Sequence, residues 1–429
     1  MITVGLDFGT HQTKICIEEK NGVETHYSFH KFTDNKGEQQ YTLPSVVGIT
    51  PDNRIMYGYI EENENCQIKR YFKQAVYKDR DSSYMTLWDA ARYSIWYLAY
   101  ILFDLEEEFG KDFTVQMGAP TDSDSIDETK AIAVSLLASA YRLVEDVFHN
   151  DKNAFLQTNY VKLIEQTNII RYSSLVKRNY GILVFPEAYA CLMPLIGRGK
   201  ISKGMNLIVD IGGGTTDISF FTIENKKKNS EDYHPQVYDF FSINKGLNYL
   251  TEGNPTLSNN KKGDIHFYQE NELDQSRINI LFYEIIKICQ HLTSRLKDEW
   301  SLQTDYYEYR LTDALKNRPI VYTGGGSTIM RLQRAYEGFK EIHLITYDSW
   351  KSKEFVDKSL FQNPSLCPIL STAYGLSISV KDDIIVKKPF RDIFKNARGG
   401  GEEKPHKKTP SFGKELGGFE YGTDYDAWK

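Results

Sequence analysis

The chain has 429 residues, of which 41% are hydrophobic and 26% charged, a balance typical of a soluble globular protein with two or three domains. Its formal net charge of −6 argues against nucleic acid as the main partner. The five cysteines are scattered without a CxxC pair, which argues against a disulfide framework or a zinc site. No signal peptide or membrane-spanning stretch is apparent, so we expect a cytoplasmic protein without a membrane partner.

A glycine turn follows the first predicted strand. Residues 2–7 are apolar and end in Asp7, the turn 8–14 reads FGTHQTK, and an apolar strand returns from Ile15. The pattern predicts a β-hairpin whose turn carries an acid, a glycine and hydroxyl groups. Backbone N–H groups in such a turn form an anion-binding concavity, so the turn is a candidate phosphate loop.

Strands and helices are predicted to follow this hairpin in turn. Period-2 and period-3.6 patterns predict strands at 42–49, 113–118 and 182–185, and helices at 87–108, 129–147 and 187–195. The segment 149–180 is polar and is interpreted as an insertion. Pro186 is expected to open the short helix that follows it.

The stretch 206–223, NLIVDIGGGTTDISFFTI, repeats the design of the first hairpin. Asp210 ends an apolar strand, the glycines Gly212–Gly214 and Thr215 form the turn, and a second apolar strand begins at Ile218. Glycine lets a ligand approach the main chain, and a carboxylate at the strand end is suited to hydrated Mg²⁺. Two hairpins of one design predict two related halves, each with one phosphate loop.

A third glycine loop lies near the end of the folded part. A strand at 319–323 runs into Gly324-Gly325-Gly326-Ser327, and helices are predicted at 278–300, 328–339 and 367–380. Glycines that open a helix place its free N–H groups beside a ligand. From about residue 395 to 429 glycine, lysine and glutamate dominate, and we predict a disordered tail whose aromatic end could dock a protein partner.

Two acid–glycine–hydroxyl hairpins followed by a strand–GGG junction resemble the actin-like ATPase superfamily, and most of all the nucleotide-binding domain of the seventy-kilodalton heat-shock chaperones. The similar segments are LDFGT at 6–10, LPSVVGI at 43–49, IKR at 68–70, VDIGGGTTDIS at 209–219 and GGGST at 324–328. The resemblance implies an α/β fold of two lobes, with ribonuclease-H-like duplicated sheets and a central nucleotide cleft. It implies lobes at 1–195 and 196–394, with the tail at 395–429.

The resemblance also implies ATP or ADP and Mg as ligands, and a role for each matching residue. Asp7 and Asp210 would hold Mg²⁺, and Lys69, Asp210 and Thr215 would act in catalysis. The nucleotide would contact residues of all three loops: Gly9, Thr10, His11, Gln12, Lys14, Gly212, Gly213, Gly214, Thr215, Gly324, Gly325, Gly326 and Ser327. Positioned cations and amides suit phosphoryl transfer, which needs little covalent chemistry from the protein.

Three residues depart from the chaperone pattern. Phe185 stands before Pro186 where the family has a catalytic Glu, and Glu187 follows the proline instead. His11 replaces a small hydroxyl residue, and could donate to phosphate or cap the turn. Lys14 lies seven residues after Asp7, where filament-forming actins carry a phosphate-binding lysine, and could face the phosphates or lie outward.

These features predict a chaperone-like ATPase of low turnover that lacks a substrate-binding domain and switches between open and closed lobes. Phe185 and the missing domain favour an alternative, a nucleotide-gated scaffold with little hydrolysis. Lys14 favours another, a filament-forming actin-like protein. In each case an unidentified protein partner is expected.

Overall fold

The structure is a computed structural model with side chains. It describes residues 1–60, 65–77, 85–120, 123–172, 180–196, 204–225, 233–251, 273–303, 319–336, 341–378 and 388–390. The predicted tail at 395–429 lies outside these residues.

The first sheet contains the amino-terminal hairpin. Its strands are β1 (Ile2–Phe8), β2 (Gln12–Asn21), β3 (Glu24–Phe29), β10 (Phe113–Ala119) and β11 (Ile182–Pro186), in the order β11-β10-β1-β2-β3, and β6 (Leu43–Pro44) pairs with β2. Strands β1, β2 and β3 run antiparallel, whereas β10 and β11 are parallel to β1. The carboxyl ends of β1, β10 and β11 therefore meet at one edge.

Short strands extend this half of the molecule. They are β4 (Phe32–Thr33) with β5 (Gln39–Gln40), and a small sheet of β7 (Val47–Ile49), β8 (Ile55–Tyr57) and β9 (Gln67–Lys69).

The second sheet repeats the topology of the first. Its strands are β12 (Gly204–Ile211), β13 (Thr216–Asn225), β14 (Tyr233–Ile243), β15 (Pro319–Thr323) and β16 (Glu341–Leu344), in the order β14-β13-β12-β15-β16. Here too the three strands that come first in the chain are paired antiparallel, β12 with β13 and β13 with β14. The two later strands, β15 and β16, are parallel to β12. The expected α/β fold with duplicated sheets is therefore confirmed.

Helices cover the sheets. They are α1 (Phe72–Tyr77), α2 (Leu87–Phe109), α3 (Ile126–Arg142), α4 (Lys152–Gln157), α5 (Tyr160–Tyr172), α6 (Glu187–Ala190), α7 (Leu247–Thr251), α8 (Gln275–Gln303) and α9 (Leu366–Ser377). Helix α2 shares one hydrophobic core with the first sheet, and α8 shares a second core with the second sheet. We call the first sheet with α1–α5 lobe I, and the second sheet with α7 and α8 lobe II. The lobe boundary at 195/196 stays a prediction.

A third core joins the lobes. It combines residues of the first sheet such as Tyr27 and Phe29 with Ile208 and Phe221 of the second, and with Trp350. Helix α9 lies in this layer, and a Cβ added to Gly5 of β1 would fall 2.7 Å from its backbone at Leu376. The backbone of the helix thus rests directly on β1, which requires glycine there.

Several local predictions differ from the structure. The segment after the third glycine loop forms 3₁₀ turns at Gly325–Thr328 and Met330–Leu332, so the α-helix predicted at 328–339 is absent from the described residues 328–336. The predicted insertion at 149–180 contains α4 and α5, and the strand at 42–49 is broken into β6 and β7. Among the described residues no helix has the length and apolar character needed to span a membrane.

Candidate functional site

The turns of the two hairpins face each other across the cleft between the lobes. A Cβ added to Gly213 would lie 2.8 Å from the ring of His11, and one added to Gly214 would lie 2.5 Å from Thr10 Oγ1. Glycine is needed at both positions because the opposite loop fills the space that a side chain would take. Because the two turns approach each other this closely, a ligand bound between them would contact both.

A cavity of about 40 Å³ lies between these turns, room for a few water molecules. It collects residues from both hairpins, the third glycine loop and three helices. Its lining residues are Asp7, Gly9, Thr10, His11, Gln12, Lys14, Lys73, Glu187, Asp210, Gly212, Gly213, Gly214, Thr215, Asp217, Gly324, Gly325, Ile369 and Thr372.

The first loop is braced by Ser45, which follows β6. Its hydroxyl donates to the Gly9 carbonyl at 2.6 Å, and its backbone N–H donates to the His11 carbonyl at 2.8 Å. These bonds fix two carbonyl groups of the loop on the side of the first sheet. Ser45, which belongs to the LPSVV segment, therefore holds the first loop in place.

The second loop is braced by α7. The N–H groups of Leu247 and Asn248 donate to the carbonyls of Gly212 and Gly213 at 3.0 and 2.8 Å. A Cβ on Gly246 would lie 2.6 Å from the Gly212 carbonyl, so the helix must begin after a glycine. The first turn of α7 thereby holds the loop through its free N–H groups.

Equivalent positions of the two hairpins carry different charges. Asp7 pairs across the first hairpin with Lys14, and Asp210 pairs across the second with Asp217. Lys14 Nζ lies 2.9 Å from Asp7 Oδ2, so this lysine faces the cleft and does not point outward.

The cavity contains more buried negative than positive charge. Its carboxylates are Asp7, Glu187, Asp210 and Asp217, all at most 8% exposed, and its cations are Lys14 and Lys73. Burial, with the charges of Asp217 and Asp7, raises the pKa of Asp210 to about 7. Buried carboxylates in excess of their cations favour the binding of a further cation.

The donor set fits magnesium. Asp7 and Asp210 offer hard oxygen ligands, and Thr372 Oγ1 of α9 donates to Asp210 Oδ2 at 2.9 Å, which orients that carboxylate. The part of the chain that the structure describes holds no group of three or more His, Cys, Asp or Glu side chains suited to a metal. Mg²⁺ does not need such a group, because it keeps several waters and binds one or two carboxylates plus phosphates.

Lys73 is the lysine that α1 brings to the cavity. It forms a buried ion pair with Glu187, the first residue of α6. Burial opposes the charge of Lys73, but the carboxylates of Glu187 and Asp7 outweigh it and raise the lysine pKa. Burial raises the pKa of Glu187 to about 7 against the opposing effect of Lys73.

Lys69 is not among the described residues that line the cavity. It lies on β9, paired with Val47 of the small sheet. Between it and Lys73 the chain turns at Tyr71, which has a φ of 63°, a left-handed conformation that costs a bulky residue energy. The turn at Tyr71 separates β9 from α1. Lys69 therefore stays on the small sheet, whereas Lys73 lines the cavity.

The third glycine loop reaches the cavity with its first two residues. Gly324 has a φ of 80°, and a Cβ there would meet the Asp210 carboxylate and lie 2.6 Å from the Ile211 carbonyl. Gly326 and Ser327, in contrast, are buried and absent from the described lining. The Ser327 hydroxyl donates to the Gly324 carbonyl at 2.6 Å and stabilises the 3₁₀ turn.

Sequence reasoning missed Lys73, Asp217, Ile369 and Thr372 as cavity residues, and left Glu187 open. Asp217 had a signal, because it occupies the position in its hairpin that Lys14 occupies in the first. Glu187 also had one, because a carboxylate directly after Pro186 falls at the start of a helix. Thr372 gave no local signal, since its place depends on how α9 packs between the sheets.

The fold and the site together define a two-lobed α/β protein in which two glycine turns face each other across a cleft. Comparisons with known proteins add little: no protein-family model matches the chain, and no curated protein matches it. Among solved structures, the chain is similar to the "MamK double helical filament", with 15% identity and a TM-score of 0.42 over 84% of this chain and 99% of the other. A likeness this low does not indicate a function.

The raised pKa of Asp210 predicts a pH-dependent stability in metal-free protein. The folded state binds this proton more tightly than the unfolded state, so its contribution is full below about pH 4 and is lost as the pH rises through about 7. Asp210→Asn cannot ionise, and its stability relative to wild type should rise between pH 4 and 8 by up to about 4 kcal/mol. Urea unfolding in EDTA measures this.

Glu187→Gln is the matched second variant, because the pKa of Glu187 is raised in the same direction. It should show a pH trend of the same sign. Two variants whose stability follows wild type at every pH would show that neither carboxylate holds its proton unusually tightly.

Proposed function

We propose that the protein binds Mg²⁺ and ATP in the cleft between its lobes and hydrolyses the nucleotide slowly. One observation carries the proposal: two glycine turns from duplicated sheets meet at a single cavity, each beside an acid in the last two residues of the strand before it. Backbone amides of such turns suit phosphates, and the two acids, Asp7 and Asp210, suit the metal.

Roles for the cavity residues follow from their contacts. The glycine turns would hold the phosphates, and Gly324 and Gly325 of the third glycine loop would contact the nucleotide, as the sequence resemblance implies. When bound, metal and triphosphate supply the transferable phosphoryl group with its charge partly neutralised. Lys14 and Lys73 would place positive charge at that group, where charge develops during transfer.

Glu187 is the candidate for accepting the proton of the attacking water. It is buried, it lines the cavity, and its pKa of about 7 suits general base catalysis near neutral pH. The ion pair with Lys73 fixes the direction of its carboxylate. The protein thus has a carboxylate for hydrolysis although Phe185 occupies the position where the sequence comparison expects one.

Magnesium-dependent nucleotide binding is the direct test. Calorimetric titration of wild type with ATP should show binding that requires Mg²⁺, and Asp210→Ala should weaken Mg²⁺-dependent binding by a factor of about 100 or more, because one of the two carboxylate ligands is lost. Asp239→Ala removes a similarly buried acid outside the cavity and should leave the affinity close to wild type. Equal affinities for wild type and Asp210→Ala would contradict the metal assignment.

Single-turnover hydrolysis tests the assignment of the lysine. Lys73→Ala should slow the chemical step by a factor of about 100, because a positioned charge at the phosphoryl group is lost. Lys69→Ala represents the competing assignment made from sequence. A greater loss in Lys69→Ala than in Lys73→Ala would show that β9, and not α1, supplies the catalytic lysine. A wild type that binds ATP without turnover would favour the nucleotide-gated scaffold.

A second candidate is nucleotide-dependent self-assembly. The observation in its favour is Lys14, which faces the cleft in contact with Asp7. The sequence resemblance places a phosphate-binding lysine of filament-forming actins at this position. No described residue distinguishes a chaperone from another two-lobed ATPase, so the chaperone role and the tail-docked partner stay predictions. ATP-dependent sedimentation at high protein concentration should yield polymer if assembly is the function, and its absence would remove this candidate.

A further inference from the structure

Three side chains join the lobes across the cleft: His11 of the first loop, Gln74 of α1 and Asn248 of α7. His11 Nε2 contacts Asn248 Oδ1, and Asn248 Nδ2 donates to Gln74 Oε1 at 3.3 Å. Gln74 Nε2 in turn donates to Asn244 Oδ1 at 3.2 Å and faces the Gly214 carbonyl at 3.5 Å. We call these three residues the cleft bridge.

A backbone carbonyl sets the direction of every bond in the cleft bridge. The Gly214 oxygen can only accept, so the Gln74 atom facing it is the amide nitrogen, and Oε1 is left for Asn248. Asn248 then donates with Nδ2 and presents Oδ1 to the imidazole. An acceptor facing Nε2 requires the proton of His11 to lie on Nε2.

His11 is neutral in this position. Burial, together with the positive charges of Arg70 and Lys14, lowers its pKa to about 3. A neutral imidazole with its proton on Nε2 has one N–H in total. It can therefore make one good bond through that atom, either to Asn248 or to another acceptor.

The cleft bridge adjoins the cavity. Gln74 directly follows Lys73 on α1, and His11 itself lines the cavity. The loops touch at His11 and Gly213, so the His11 side chain lies where a ligand would enter between them. A phosphate bound between the two loops would therefore meet His11 and compete with Asn248 for its N–H group.

We propose that His11 distinguishes ATP from ADP by exchanging its bond to Asn248 for a bond to the terminal phosphate. The exchange deepens the proposed function, on which it rests. A phosphate oxygen is a charged acceptor and therefore a stronger partner than the neutral amide of Asn248. Once His11 has turned to the phosphate, the first loop is no longer bound to α7, and the two lobes lose one of their contacts. ADP, which lacks the terminal phosphate, leaves the cleft bridge intact.

The exchange predicts opposite effects for its two partners. With Mg²⁺ and a non-hydrolysable ATP analogue, His11→Ala should weaken binding about tenfold or more, because a hydrogen bond to a charged group is lost. Asn248→Ala should tighten analogue binding about threefold or more, because it removes the competing acceptor. Both variants should leave the affinity for Mg²⁺ and ADP within about a factor of two.

Two further variants keep the test sharp. His11→Gln retains a side-chain donor and should preserve part of the preference for the triphosphate, even where alanine disturbs the loop. Ser123→Ala removes an interlobe bond outside the cavity, from Ser123 Oγ to Asp239 Oδ1 at 2.6 Å, and should change neither affinity. Nitrogen-15 NMR of labelled histidine reports the tautomer directly and should show the Nε2–H form in nucleotide-free protein.

The outcomes separate the two proposals. A wild type that binds neither nucleotide overturns the proposed function and the exchange with it. If wild type binds both nucleotides, either of two results overturns the exchange alone. One is that each variant changes the affinity for the ATP analogue and the affinity for ADP by the same factor. The other is that His11→Ala and Asn248→Ala change the affinity for the analogue in the same direction. An Nδ1–H tautomer in nucleotide-free protein also overturns it, because Nε2 would then have no proton to donate.

Discussion

The direct contact between the two glycine turns is the constraint on which the rest of the structure depends. Gly213 and Gly214 meet His11 and Thr10 so closely that neither glycine position can carry a side chain. Everything else in the cavity is placed relative to this contact. Because the turns connect the first two strands of sheets with the same topology, the duplicated fold itself brings their amides and their strand-end acids to one place.

The same contact concentrates charge. Four buried carboxylates share the cavity with two lysines, and the pKa values of Asp210 and Glu187 rise to about 7 as a result of burial and of neighbouring acids. Such a site is costly for the folded protein while no cation is bound. The cost is consistent with a functional site, since groups held at a disadvantage for stability commonly do chemical work.

Much of the fold could be predicted from the sequence because its signals are local. Both hairpins, α2 and α8 follow from apolar periodicity and from glycine turns, and the predicted duplicated sheets are confirmed. The long helices differ from their predicted bounds by a few residues. The segment after Gly324 was wrongly predicted as α-helix, because the pattern did not reveal that Ser327 would close a 3₁₀ turn on the Gly324 carbonyl.

The site was less predictable where it depends on backbone turns and on packing. The left-handed conformation of Tyr71 decides that Lys73 and not Lys69 enters the cavity, and no residue pattern announces a positive φ at a tyrosine. Thr372 contacts Asp210 because α9 lies between the sheets.

The aromatic layer between the sheets has a mechanical consequence. Tyr27 and Trp350 each pack against both Phe355 and Tyr374, which also contact each other, with ring centroids 4.7 to 5.5 Å apart, where the third core joins the lobes. Close-packed rings resist separation, whereas the few polar bonds at the cleft mouth exchange readily with water or ligand. If the mouth widens, we expect the rings to act as the fulcrum, so that the displacement of each lobe grows with distance from them.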